Sequence, residues 1–368
     1  MLNRRLLKNL DFAVIVVTAL LMVTSLIIIG SATHINNPSD DRYWYVQRQG
    51  FFTIANIIII VIMLHMDYKV LSKYANFLYW TNLAMLLAVM FVGTSALGAQ
   101  RWIQIGPISL QPSEFSKLIM IICLASMLEK RIGQLNTFRE IIPVFIYVSI
   151  PFLLVLKQPD LGTSLVLLAI LFGMIFIAGI SIRHLMMIFG AGIAVMPIFW
   201  QFLKDYQKQR LTVFIDPNVD PLGSGYHIIQ SKIAIGSGML FGKGLFSGTQ
   251  SQLNFLPENH TDFIFAVIGE ELGFIGSAII LLLYLILLYR GVKIAASAKD
   301  NFGTLLATGI TSMLTFHVLV NVGMTAGIMP VTGIPLPLMS YGVSALTTNL
   351  ISIGILLNIY MRRQKIMF

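Results

Sequence analysis

Charged side chains are scarce in this chain. Asp, Glu, Lys and Arg make up 11% of its 368 residues, where ordinary soluble domains carry about 25%. So few charges cannot cover a water-facing surface, which excludes a soluble enzyme. The single cysteine, Cys123, lies in an apolar run and has no partner for an internal disulfide, which excludes a disulfide-stapled scaffold. No Cys/His cluster or H-E-x-x-H stretch offers a zinc site. No G-x-x-x-x-G-K-[ST] loop offers nucleotide-driven transport, and no S-x-x-K offers an acylating serine. The net charge of +9 falls at the ends of apolar runs and not on a folded basic face, so no nucleic-acid partner is expected.

Apolar residues dominate instead, at 57%, and they come in long runs. A membrane-crossing helix needs about 20 of them. Candidate segments run over 12–31, 49–66, 75–96, 114–129, 140–157, 163–180, 185–203, 262–290, 303–328 and 342–361. Backbone groups in hydrocarbon must bond within their own segment, so these are helices; the alternating strands of a barrel are absent. The expected fold is all-α: a polytopic integral membrane protein of about ten transmembrane helices, forming one domain over 1–368. The run from Phe12 is longer than a signal-peptide core and reads as a retained first span.

Lys and Arg mark the cytoplasmic side. With both termini inside, the inner segments hold Arg4, Arg5, Lys8, Lys69, Lys73, Lys130, Arg131, Arg139, Arg183, Arg290, Lys293, Lys299, Arg362, Arg363 and Lys365. The short outer segments hold far fewer, so both termini are placed in the cytoplasm. Residues 204–261, between helices 7 and 8, then form a large extracytoplasmic loop. It contains Tyr206, Tyr226, Phe241, Phe246, Phe255 and Leu256 and is glycine-rich from Gly223 to Gly248. An ordered loop lying on the outer membrane face is expected. Pro330, Pro335 and Pro337, with Gly327 and Gly333, point to a re-entrant segment before the last helix.

Charges inside or at the rim of spans are costly and mark function by default. The outer-face set is Arg48, Arg101, Glu114, Lys117, Lys157, Asp160, Lys232, Lys243, Glu258, His260 and Asp262. Asp262 opens the eighth span and has two readings. It is a helix cap whose charge suits the dipole, or a carboxylate base at the membrane rim. Glu114 and Lys117, three apart on one helix face, are a structural pair or a cleft wall with Lys117 facing an anion. Arg101, beside Trp102, anchors at the interface or faces the same cleft. Asp160, in the Pro159–Gly162 turn, caps the sixth span or joins that set. Arg48, Arg101, Lys117, Lys232 and Lys243 are enough cations to hold a diphosphate, and the sequence leaves their convergence open. His317 reads as a packed polar contact, and Glu270 and Glu271 as groups paired inside the bundle, with a proton relay as the alternative.

Seven stretches occur in order along this frame: Gly98-Ala99-Gln100-Arg101-Trp102, Gln111-Pro112-Ser113-Glu114, Gln158-Pro159-Asp160-Leu161-Gly162-Thr163-Ser164, Gly225-Tyr226-His227-Ile228-Ile229-Gln230-Ser231, Gly242-Lys243-Gly244, His260-Thr261-Asp262-Phe263-Ile264-Phe265 and Pro335-Leu336-Pro337-Leu338-Met339-Ser340-Tyr341-Gly342. Together they resemble the SEDS family (shape, elongation, division and sporulation proteins) over essentially the whole chain. Gly248-Thr249-Gln250-Ser251-Gln252-Leu253 and the short tails resemble its elongation members more than its division members. Val343 departs from the second glycine expected after Gly342.

The resemblance implies a peptidoglycan glycosyltransferase that polymerises lipid II into β-1,4 glycan at the outer face of the bacterial cytoplasmic (inner) membrane, releasing undecaprenyl diphosphate. It places the family's essential aspartate at Asp262, as general base. Arg48, Arg101 and Lys117 are then expected on the departing diphosphate, and Glu114 on Lys117 or on sugar. No cofactor is evident beyond room for a divalent cation, Mg or Mn. The implied partners are a class B penicillin-binding protein, which is a transpeptidase, and other elongation-complex membrane proteins. Two rivals stand beside this reading. A lipid II flippase needs access from both faces, and a non-catalytic scaffold for the transpeptidase would tolerate loss of Asp262.

Overall fold

The computed structural model describes residues 9–35, 41–96, 99–106, 108–202, 205–221, 223–253 and 255–363. Arg4, Arg5, Lys8, Gly98 and Lys365 lie outside the described residues. In chain order the helices are α1 (Phe12–Thr33), α2 (Trp44–His65), α3 (Lys69–Lys73), α4 (Ala75–Val92), α5 (Pro112–Glu129), α6 (Phe138–Lys157), α7 (Leu161–Ile177), α8 (Ile182–Phe202), α9 (Asp205–Ile215), α10 (Ser224–Ser237), α11 (Thr249–Gln252), α12 (Ile264–Ser297), α13 (Asn301–Thr325) and α14 (Val343–Met361). Among the described residues every segment read as a span is therefore helical over most of its length, although the expected span 75–96 ends as helix at Val92 and its last residues, Thr94–Ala96, form a strand. Seven of these helices, α1, α2, α4, α6, α12, α13 and α14, are long and apolar enough to cross a membrane. The chain is a multi-pass membrane protein. Helix α7 and Ile182–Pro197 of α8 are apolar but shorter, and α5 carries Glu114, Lys117 and Glu129 within its length.

Aspartates start several of these helices. Asp11 accepts from the Val14 amide at 3.3 Å, Asp160 from Thr163 at 3.1 Å and Asp300 from Gly303 at 2.8 Å. Each satisfies an amide that the first turn leaves unbonded. Helix α13 lies at the centre and packs on α12, α7 and α5.

The all-α expectation needs a correction. Residues 94–110 form a three-stranded antiparallel sheet, β1 (Thr94–Ala96), β2 (Ala99–Ile105) and β3 (Ile108–Leu110). The stretch is too short for another span, and Trp102 and Ile103 are half-buried while Gln104 is exposed, as suits a pleated surface. Gly106, at φ 61°, turns β2 back into β3.

The segment expected as an ordered loop over 204–261 is ordered and largely helical among the described residues, through α9, a 3-10 turn at Pro217–Val219, α10 and α11. The chain between α13 and α14 re-enters the bundle without regular structure, burying Ile334, Leu336, Leu338 and Met339. Side chains satisfy its carbonyls one at a time. Asn321 donates to Ile334 at 2.8 Å, the Tyr284 hydroxyl to Pro337 at 2.5 Å, Ser25 to Met339 at 2.7 Å and Gln49 to Ser340 at 3.3 Å. Irregular backbone at membrane depth requires such partners, and its prolines need none for their missing N–H.

Candidate active site

The sheet, the starts of α5 and α7, helix α9 and the re-entrant segment surround a cavity of about 260 Å³. Asp262 lies in its wall, in the turn that precedes α12. The turn is fixed from behind. Asn321 Nδ2 donates to the Asp262 carbonyl at 2.8 Å, the Ser340 hydroxyl to the Thr261 carbonyl at 2.5 Å, and the Tyr341 amide to the His260 carbonyl at 2.9 Å. Glu258 stands at φ 52°, and its carbonyl accepts from the amides of Thr261 and Phe263, both at 3.2 Å. Backbone bonds thus hold Asp262, while its carboxylate makes no hydrogen bond or ion pair within the described residues. Asp262 is no side-chain cap for α12, whose first residue follows Phe263.

Burial pushes the Asp262 carboxyl up to about 7, and the negative charge of Glu258 adds to the shift. Arg210 and then Arg101 oppose it. A carboxyl poised near neutrality has the driving force a general base needs. Two opposite outcomes are expected in the pH dependence of activity. Arg210→Gln removes a cation and moves the acid limb to higher pH; Glu258→Gln removes an anion and moves it lower. Rate–pH profiles of the two variants check both signs.

Arg101, on β2, is braced on the turn before α7. Its Nε donates to the Gln158 carbonyl at 3.1 Å, an Nη bonds the Pro159 carbonyl, and Nη1 lies 3.9 Å from Asp160. Asp160 is buried and accepts from Gln111 at 3.2 Å, Ser113 at 3.0 Å and Thr163 at 2.9 Å. It both caps α7 and anchors Arg101. Glu114 also lines the cavity.

Lys117 forms with Glu114 the structural pair that is one of its two sequence readings. It is 1% exposed and points into the bundle. Its ammonium donates to both Glu114 oxygens at 2.8 Å and lies 3.1 Å from His317 Nε2. An ammonium only donates, so Nε2 accepts and Nδ1 carries the proton, 3.2 Å from the Pro335 carbonyl. The three donors of Lys117 are thus used within the protein. Arg48 sits at the edge of the site, with its guanidinium 4.9 Å from the Trp44 ring centre. It also acts on Tyr341 in the cavity wall, whose hydroxyl burial pushes up to about 12 against the pull of Arg48. His260 packs 4.8 Å from the Tyr45 ring, and burial lowers its pKa. Lys232 runs over Gly327, where a Cβ would lie 2.0 Å from its Cε. Lys243 pairs with buried Glu270 at 2.8 Å. Neither lysine lines the cavity.

The cavity therefore brings together Arg101, Glu114, Asp160, Glu258 and Asp262 of the outer-face set, and adds residues absent from that set: Arg210, Thr332 and Tyr341. Among the described residues no three His, Cys, Asp or Glu side chains converge to hold a metal. Glu114 and Asp160 already have their own partners, so this donor set does not fit a cation held by protein groups alone.

Residues 10–365 match the cell cycle protein family FtsW/RodA/SpoVE. The chain is 42% identical to the peptidoglycan glycosyltransferase MrdB of Escherichia coli (strain K12) over 363 residues, which cover 97% of this chain and 95% of that one. It is 39% identical to stage V sporulation protein E of Bacillus subtilis (strain 168), covering 95% and 96%. In three dimensions it resembles a chain of a peptidoglycan synthase complex that coordinates polymerization and crosslinking, with TM-score 0.82 and 30% identity, covering 95% of this chain and 97% of that one. It also resembles the Thermus thermophilus rod shape determining protein RodA, with TM-score 0.72 and 29% identity, covering 97% and 98%. The match over nearly the full length, on a helical bundle in which five of the seven motifs line one cavity, places this chain in the FtsW/RodA/SpoVE family, the SEDS proteins.

Proposed function

We propose that the chain is a peptidoglycan glycosyltransferase that polymerises lipid II, acting as a single transmembrane unit of ten spans in the bacterial inner membrane. The distribution of Lys and Arg supports placing both termini in the cytoplasm, which turns the cavity to the outer face. Asp262 carries this reading: one carboxylate without a partner, at the rim of the bundle, in a cavity with Arg101 and Arg210. The cavity is smaller than the 300 Å³ or so typical of sites that engulf a ligand. It is suited to the reacting centre and not to a whole lipid-linked disaccharide.

In this mechanism Asp262 takes the proton of the acceptor's 4-hydroxyl as its oxygen bonds to the donor sugar's C1. The bond from C1 to the diphosphate oxygen breaks, and undecaprenyl diphosphate leaves with the electron pair. The α-linked donor becomes a β-linked product in one inversion. Charge that grows on the diphosphate is met by Arg101, fixed before the reaction, and by Arg210 across the cavity. Asp160 keeps Arg101 in place, and Glu114, held by Lys117, contacts sugar. A class B penicillin-binding protein is the expected partner, with other elongation-complex membrane proteins around it. The resemblance to a chain of a peptidoglycan synthase complex supports the first of these.

The test is polymerisation of labelled lipid II by the detergent-solubilised protein, co-purified with that partner and resolved by size. Glycan ladders are expected without any transbilayer gradient. An intact complex that binds lipid II and makes no ladder would leave the flippase or scaffold reading in place.

A further inference from the structure

Helix α12 has 34 residues, about 51 Å if straight, against about 30 Å of hydrocarbon. It is broken at Gly273, which adopts φ 65° and ψ −163°, a region open essentially to glycine alone. A continuous helix would bond the amides of Phe274 and Ile275 to the carbonyls of Glu270 and Glu271. Here another strand of chain takes both sides of those bonds. The Phe274 and Ile275 amides donate to Met239 and Leu240 at 2.9 and 3.1 Å, while Lys243 and Gly244 donate to Glu270 and Glu271, each at 3.0 Å. Segment 238–244 is inserted into the helix and replaces two helical bonds with four.

The fit is close enough to demand glycine. A Cβ on Gly238 would stand 1.9 Å from the Gly269 carbonyl oxygen, and one on Gly242 would stand 2.1 Å from that of Glu271. One ion pair closes the arrangement. Lys243 Nζ meets Glu270 Oε1 at 2.8 Å, and the fully buried Glu270 also accepts from the Gln250 amide at 2.9 Å and the Ser251 amide at 3.2 Å. These bonds tie residues 243–251 to the half-helix 264–272, which begins two residues after Asp262.

We infer that Lys243 and Glu270 are positioning residues, a latch that keeps segment 238–244 in the break of α12 and so sets where Asp262 stands. The inference rests on Asp262 as base. It also separates Lys243 from the diphosphate: its ammonium is occupied by Glu270 and by Thr249 at 2.8 Å. If the latch opens, the break loses its partners and the half-helix swings, although no group that touches substrate has changed.

A double-mutant cycle on the complex tests it, with steady-state polymerisation of lipid II as one readout. A spin-label distance between the half-helix and α13, taken without substrate, is the other. Lys243→Met is expected to lower kcat tenfold or more with KM within twofold, and to shift or broaden the distance. Lys243→Arg should restore both. Lys243→Met combined with Glu270→Gln should be no slower than the worse single variant, because both act through one latch. Gly242→Ala should move the distance in the same way while leaving every charge in place. The inference is overturned if Lys243→Met raises KM at unchanged kcat, if the two losses multiply, or if the distance stays at its wild-type value. Asp262→Asn, measured alongside, reports separately on the base: full activity there would sink that assignment whatever Lys243 does.

Discussion

Asp262→Asn is expected to slow polymerisation by about 10²- to 10⁴-fold, the range a positioned general base contributes, in a protein that remains folded and still binds its partner. Asparagine fills the same space and cannot take a proton. The turn should keep its place, because Asp262 is held through its backbone carbonyl, by Asn321 at 2.8 Å. The fold should gain from the change. The carboxyl ionises near 3.8 in an unfolded chain and near 7 in this cavity. Wild-type stability therefore falls as pH rises from about 4 to about 7 and stays lowered above that. The variant lacks this penalty and should melt higher than wild type at pH 8, with the gap closing toward pH 4. Thermal unfolding at the two pH values, beside the rate, separates lost chemistry from lost structure.

Lys117→Met is expected to cost about 3–5 kcal/mol of stability, the usual result of removing one member of a buried ion pair. Lys117 and Glu114 are 1% and 4% exposed, and the pair is bound to His317, which holds the Pro335 carbonyl in the cavity wall. Without the ammonium, Glu114 is a buried charge with no counterion. Glu114→Gln added to Lys117→Met removes that charge and should recover much of the loss. Unfolding midpoints of the single and double variants check the order. A stable, folded Lys117→Met protein with a raised KM for lipid II would instead return Lys117 to the diphosphate.

Much of the site was legible because charge is so expensive at a membrane rim. Asp262, Asp160, Arg101 and Glu114 each stand at the end of an apolar run, and each reaches the cavity. Arg210 gave no such signal. It lies in α9, within a long polar segment where cations are ordinary, and only the fold carries it to Asp262. Lys117 was visible as important but not in direction, since sequence spacing pairs it with Glu114 without saying that both face inward. The span pattern revealed the helices, whereas the sheet over 94–110 is too short for periodicity to declare. The insertion of 238–244 into α12 was not legible at all. The glycines of that segment read only as part of a glycine-rich loop, and only tertiary contact shows that they clear carbonyls of another helix.

The measurement that bears most directly on the account is the rate–pH profile of lipid II polymerisation by the wild-type complex and by Asp262→Asn, from about pH 5 to pH 9. A base that ionises near 7 predicts a wild-type rate that rises tenfold per unit at low pH and levels off above about 7, with a small, flat residual rate for the variant. The same acid limb in Asp262→Asn, or a variant as fast as wild type, would contradict it.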